Sequence, residues 1–175
     1  MNRNNNGELS PGDAPSPLVA IQNHFNTPPG KSDSLIGQRH FAHGIRGRRI
    51  VYHPSTKSGG HVPCESRAEA SRALYLERAD TVFRFGGQLG RIQLGKEESY
   101  TPDFCLELRD GAIEVEEVKP AALLASPRHR RRLDAARIVF GSFGIAMREV
   151  TVEESMRQPF LNNLRYLYFR QVVPI

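Results

Sequence analysis

The sequence predicts an α/β domain, a mixed sheet flanked by helices, behind a disordered N-terminal tail. Three features carry that expectation. Residues 100–119 alternate as a β-hairpin, residues 112–152 run strand, helix, strand, and the first 38 residues show no sustained apolar period. The chain has 175 residues, 39% of them hydrophobic. That suits one domain with its own core, because a chain of about 150 residues removes close to 70% of its unfolded surface from water. The division expected is a tail over 1–38 and a folded domain over 39–175.

In the tail, Asn2 to Asn6, Ser10-Pro11-Gly12, Pro15-Ser16-Pro17 and Pro28-Pro29-Gly30 supply breakers with too few apolar side chains to offset the entropy of ordering. Leu18 to Phe25 is the exception, a short apolar patch of the kind that is mostly incidental in a tail, with docking on a partner as the alternative. From Arg39 the texture changes. Ile50-Val51-Tyr52 is a short β-prone run, and Pro54, Ser55 and Ser58-Gly59-Gly60 read as loop. Ser66 to Ala79 follows as a helix, with Ala70, Ala73, Leu74 and Glu77 at helical spacing behind the cap signature Ser66-x-x-Glu69. Val82 to Phe85 and Arg91 to Leu94 are strands separated by Gly86-Gly87.

Tyr100 to Leu108 and Ala112 to Lys119 alternate on either side of Arg109-Asp110-Gly111, which is a hairpin in sequence form. Pro120 ends the second strand. Ser126-Pro127 opens a helix with serine at the cap and proline in the first turn, and Leu133, Ala136 and Phe140 share one face. Ile145 to Val152 is the strand that this helix crosses to, so at least one pair is parallel. Phe160, Leu161, Leu164, Leu167 and Tyr168 describe a terminal amphipathic helix.

Composition narrows the function classes. No apolar run approaches the roughly 18 residues that would span a bilayer, and the Asn-rich start lacks a secretory h-region. Two cysteines, Cys64 and Cys105, fit a reducing compartment. The expectation is a cytoplasmic protein with no membrane partner. Lys and Arg number 24 against 19 Asp and Glu, and the resulting charge of +5 favours polyanion partners. Nucleophile triads, a P-loop and a GxGxxG cradle have no local signature.

The hairpin carries the chemistry. Side chains alternate along a strand, so Glu117 and Lys119 share a face, and strands lie under about 5 Å apart, so Asp103 meets them at one end. Two carboxylates and an ammonium would then converge, a set suited to metal-assisted phosphodiester hydrolysis. Asp103 and Glu117 offer hard oxygens to Mg²⁺, with Mn²⁺ expected to substitute. Lys119 would orient a water or stabilise the transition state. Glu69, on the helix ahead of the sheet, is a further candidate ligand, with Glu65 as runner-up. Glu69 fits equally a capping box, its carboxylate returning to the Ser66 amide. Glu116 faces away from Glu117, to be solvated or paired.

The pattern Asp103…Glu117-x-Lys119 with an upstream helical Glu resembles the PD-(D/E)XK nuclease superfamily. The wording around it resembles the TnsA family, the endonuclease subunit of heteromeric transposases. The likeness runs over about residues 45–170 and includes Glu65-Ser66-x-x-Glu69, Gln88, Tyr100-Thr101-Pro102-Asp103-Phe104 and Glu117-Val118-Lys119-Pro120-Ala121-Ala122. The resemblance implies a restriction-endonuclease-like mixed sheet flanked by helices, with Asp103, Lys119 and Glu69 at the family's catalytic positions. Some members carry Gln where this chain has Glu117, the residue of the wider nuclease pattern. It further implies DNA as substrate, cleavage of one strand at transposon ends to 5′-phosphate and 3′-hydroxyl, an integrase-like transposase subunit as partner and an ATPase regulator. A short stretch follows the last expected strand, where the known family architecture adds a C-terminal domain that contacts the regulator.

Arg128, Arg130, Arg131 and Arg132 crowd the start of a helix, against the positive end of its dipole, and with Arg46, Arg48 and Arg49 they are the candidate DNA-backbone contacts. His40-x-x-His43 and His61-x-x-Cys64 have spacing that could seat zinc, or arise by chance in loop-rich sequence. Two rival functions stay open. One keeps the fold as an inactive DNA-binding or assembly module; the other is a stand-alone repair or anti-phage nuclease.

Overall fold

The computed structural model describes residues 15–26, 50–95 and 98–170. Helix α1 (Pro17–Asn26) is followed by strands β1 (Val51–Ser55) and β2 (Gly60–Cys64), then helix α2 (Arg67–Arg78) and strand β3 (Val82–Gly87). Short strands β4 (Ile92–Gln93) and β5 (Ser99–Tyr100) precede β6 (Phe104–Leu108) and β7 (Ile113–Lys119). Helices α3 (Ala121–Leu124) and α4 (Pro127–Gly141), strand β8 (Ala146–Thr151) and helices α5 (Val152–Ser155) and α6 (Phe160–Phe169) complete the order.

The centre is a four-stranded mixed sheet in the order β3-β6-β7-β8. Its first three strands are antiparallel, and β8 joins β7 in parallel after the α4 crossover, as the strand, helix, strand reading expects. The β6–β7 hairpin closes through Gly111, at φ +86°, where an L side chain would be strained. Asp110 Oδ1 accepts from the Ala112 amide at 3.0 Å, an Asx turn that fixes the register. That register pairs Phe104 with Glu116, which brings Asp103 beside Glu117 at the end of the hairpin.

Alternation gives the sheet two apolar faces. Cys105 and Val115 pack with Leu133, Ala136 and Phe140 of α4, whereas Phe104, Leu106 and Val118 pack with Ala73 and Leu76 of α2. Leu161 and Leu164 of α6 bury against Leu74 of α2. Lys57 reaches the far end of α2 and donates to the carbonyls of Leu76 and Ala79 at 3.0 and 2.6 Å, satisfying acceptors that a helix C-terminus leaves open. Among the described residues no helix is long and apolar enough to cross a membrane.

The structure corrects the sequence reading at three places. Residues 17–26 belong to the fold rather than to a tail: Ile21 is fully buried, and Ala20 and His24 are buried beside it. The apolar patch docks on its own sheet, with Leu18, Ile21 and Phe25 on one face of α1 and Pro17 in the first turn, where a missing N–H costs nothing. The rest of residues 1–38 lies outside the described set. The expected loop after Tyr52 is a hairpin instead, β1 pairing antiparallel with β2 around Gly59, whose φ is +68°. The expected strand 100–108 is split, because Pro102 has no amide to donate; β5 pairs with β4 in a separate ribbon.

Candidate functional site

Asp103 is set by backbone before its side chain does anything. Its amide donates to the Glu116 carbonyl at 3.0 Å, and its own carbonyl accepts from Gln88 at 3.1 Å. Gln88 takes φ 55°, a left-handed conformation uncommon outside glycine, as the chain leaves β3. The Asp103 carboxylate is then held from β7: Oδ2 accepts from the Val118 amide at 2.8 Å and from Lys119 Nζ at 2.7 Å. Lys119 Nζ also lies 3.1 Å from Glu117 Oε1. The structure therefore brings Asp103, Glu117 and Lys119 together at the open end of the hairpin, as alternation predicts.

The three charges sit in a poorly solvated place. Asp103 and Glu117 are 9% and 4% exposed. Burial, and then the neighbouring Glu117 charge, push the Asp103 carboxyl up to about 6, against the pull of Lys119. For Lys119 burial works against the ammonium, but the Asp103 and Glu117 carboxylates outweigh it and hold the group protonated, above the usual lysine range. The ammonium is a permanent positive charge between two carboxylates.

Glu69 is buried where α2 begins. Its amide donates to Ser66 Oγ at 3.1 Å, and its carboxylate accepts from Ser66 Oγ at 2.9 Å and from the Glu65 amide at 2.6 Å. The reciprocal cap thus forms, with the return bond one residue earlier than the expected Ser66 amide. Burial first, and the charge of Asp103 second, push Glu69 up to about 7. It is close enough to feel Asp103 yet turned onto its own helix cap. Glu65 contributes its backbone to that cap. Glu116, facing the other way as expected, is 1% exposed and bonded twice by Arg72, at 2.7 and 2.5 Å.

Two residues join the site that sequence reasoning did not single out. Tyr100 donates its hydroxyl to Glu117 Oε2 at 2.5 Å, and burial raises the phenol well above its ordinary value. His129 on α4 places Nε2 3.7 Å from Glu117 Oε1, buried and without a hydrogen bond among the described residues. Burial, then the charges of Lys119 and Arg132, lower its pKa and favour the neutral ring. Tyr100 stood in the hairpin motif. His129 had no such signal, since only the crossover packing of α4 brings it to the sheet.

The basic residues divide. Arg46, Arg48 and Arg49 lie outside the described residues. Arg128 and Arg132 line a cavity of about 560 Å³ with Ser126 and His129, next to Glu117; Arg132 also lies over the Tyr100 ring, 5.5 Å from its centroid. Arg131 is exposed on α4. Arg130 is turned back to Glu149 on β8, which Arg137 also pairs, so it is not a free phosphate contact.

Of the two zinc spacings, His61-x-x-Cys64 is not supported by its strand geometry. Three residues apart on β2, His61 and Cys64 project to opposite faces; His61 is exposed, and the buried Cys64 thiol donates to the Val62 carbonyl at 3.7 Å. His40 and His43 lie outside the described residues. Among the described residues no group of three or more His, Cys, Asp and Glu side chains is arranged to hold a metal ion. The hard oxygens of Asp103 and Glu117 do match Mg²⁺, which takes one or two carboxylates and completes its shell with water and phosphate. The chain matches no protein-family model, and no curated protein matches it at a significant level.

Proposed function

We propose that this protein is a metal-dependent DNA endonuclease with a restriction-endonuclease-like core. The observation that carries the reading is the convergence of Asp103, Glu117 and Lys119 at one end of the β6–β7 hairpin. Mg²⁺, when bound, would supply Lewis acidity and a water of lowered pKa. Asp103 and Glu117 are the residues to hold it. Tyr100 fixes the Glu117 carboxylate, and the Val118 amide fixes that of Asp103. Lys119 stays protonated, so it serves as a charge stabiliser and a donor to water or phosphate rather than as a base. Arg128 and Arg132, beside the site, supply sequence-independent contacts to the DNA backbone. The resemblance to TnsA supports the finer reading: single-strand cleavage at transposon ends, beside an integrase-like transposase and under an ATPase regulator, in the cytoplasm.

A second reading has its own observation. Lys119 bridges both carboxylates and Glu69 is committed to its helix cap, so each group already has a protein partner, which suits an inactive DNA-binding or assembly module. Calorimetric titration of Mn²⁺ into wild type and Asp103→Ala separates the two. Binding that the variant loses supports the nuclease and directs the search to a transposase partner. Absence of binding by wild type, with DNA present, overturns the catalytic reading and leaves the module.

A further inference from the structure

We infer that a second cavity, on the face of the sheet opposite Glu117, binds one nucleotide unit, a phosphate joined to a heteroaromatic ring. The cavity has a volume of about 600 Å³ and lies among α2, β8 and the α5–α6 connection, within the size range of small-molecule sites. Three guanidiniums line it, those of Arg72, Arg148 and Arg157. Their carboxylate company is smaller. Arg72 gives two of its five N–H donors to Glu116 and is thereby fixed in orientation, with donors to spare. Arg148 stands 3.6 Å from Glu154 in an exposed, weak pair. Arg157 makes no ion pair among the described residues. The surplus positive charge, presented as planar forks, suits a phosphate.

The same cavity offers flat apolar surface. The Tyr75 and Phe160 rings lie 5.1 Å apart at 48°, and Phe160 is 50% exposed beside the arginines. An exposed phenyl ring among guanidiniums is a stacking platform for a base, which presents a π-face whatever its identity. Phosphate affinity and stacking surface therefore coincide in one cavity.

This site stands apart from the hairpin chemistry. Arg148 is opposite Glu116 in the β7–β8 register and Glu149 is opposite Glu117, so the two places are neighbours along the strand and it is the sheet that separates them. Glu116 and Glu117 also point to opposite faces. The inference rests on the cavity's own geometry and survives failure of the nuclease reading.

The nucleotide could be free or an unpaired unit of a nucleic-acid strand, and one experiment distinguishes them. AMP, inorganic phosphate and an eight-residue oligothymidylate are titrated calorimetrically into the full chain at low salt, with wild type, Arg157→Glu and Phe160→Ala compared. Melting curves confirm that both variants fold. Expected is binding of AMP, or of the oligonucleotide alone, that weakens at least tenfold in Arg157→Glu and less in Phe160→Ala. AMP binding assigns a free nucleotide, and binding of the oligonucleotide alone assigns a strand. The inference is overturned if neither binds, if phosphate binds as well as AMP, or if Arg157→Glu leaves the affinity unchanged.

Discussion

The imidazole of His24 occupies the space that a side chain at Gly86 would need: a Cβ there would lie 2.0 Å from Nε2 and 2.6 Å from Cδ2. Helix α1 is thus keyed to β3 by a residue with no side chain. Gly86→Ala is expected to push the ring out and loosen α1, at about 1–3 kcal/mol, the range of overpacking in a filled core. Since the clash is with one ring, His24→Ala in the same chain should recover part of the loss. Urea denaturation of the two single variants and the double variant measures the coupling; strictly additive losses would show that the two side chains do not compete for the space.

The same burial makes α1 sensitive to acid. Burial alone lowers His24 from 6.5 to about 4, so the unfolded chain binds the proton more readily than the folded one. Stability from this group is fully present above pH 6.5 and is lost as pH falls toward 4. The gap corresponds to about 3 kcal/mol at most. His24→Leu should flatten this part of the profile, measured as urea midpoints between pH 7.5 and 4.5. An unchanged slope would place the acid sensitivity elsewhere.

Lys119 is expected to matter for folding as well as chemistry. Lys119→Met removes the charge that bridges Asp103 and Glu117, leaving two buried carboxylates to repel. A loss of about 2 kcal/mol at pH 7.5 is expected, below the 3–5 of a fully buried pair because the lysine is partly exposed. Asp103 is already raised to about 6, and without the ammonium it rises further. A folded carboxyl raised in this way favours folding once protonated, so the deficit should shrink as pH falls from 7.5 toward 4.5. A deficit that grew on acidification would contradict the electrostatic account.

Much of this was legible locally. The hairpin followed from its period of two and from Asp110-Gly111, and α4 from Ser126-Pro127 with Leu133, Ala136 and Phe140, all three buried in the structure. Asp103, Glu117 and Lys119 were legible because hairpin register is a short-range property. What escaped was decided by breakers or by distance. Pro15, Pro17 and Pro28 disguised α1, and Pro54 and Pro63 disguised the β1–β2 hairpin, where two prolines sit within the paired strands. His129 beside Glu117 and Arg130 on Glu149 depend on how α4 lies across the sheet, which no local pattern encodes.

The turn of β1–β2 holds the end of α2 at two places: Ser55 and Thr56 donate to the Glu77 carboxylate, and Lys57 reaches the helix carbonyls. Lys57 donates to the carbonyls of Leu76 and Ala79, which the helix itself leaves without partners, and its charge suits the negative end of the dipole. Lys57→Ala is expected to cost about 1 kcal/mol, the net worth of such bonds in a partly exposed setting. Amide hydrogen exchange should localise the effect, with protection falling over residues 74–79 and unchanged in β6 and β7. Uniform loss across the sheet would mean that Lys57 acts on the whole fold.

Tyr100 gives the clearest separation of support from ligation. Its hydroxyl fixes Glu117 Oε2 at 2.5 Å, while its ring packs edge-on against Phe140, 6.1 Å between centroids. Tyr100→Phe keeps the ring and removes only the donor. If Glu117 ligates the metal, its carboxylate loses a fixed orientation, and partners of this kind are worth about 10- to 100-fold in metal affinity. Mn²⁺ affinity is therefore expected to fall about tenfold, with melting temperature lowered only slightly, since one buried hydrogen bond is lost and no cavity is made. Equal affinity in wild type and Tyr100→Phe would remove Glu117 from the ligand set and leave Asp103 as its centre.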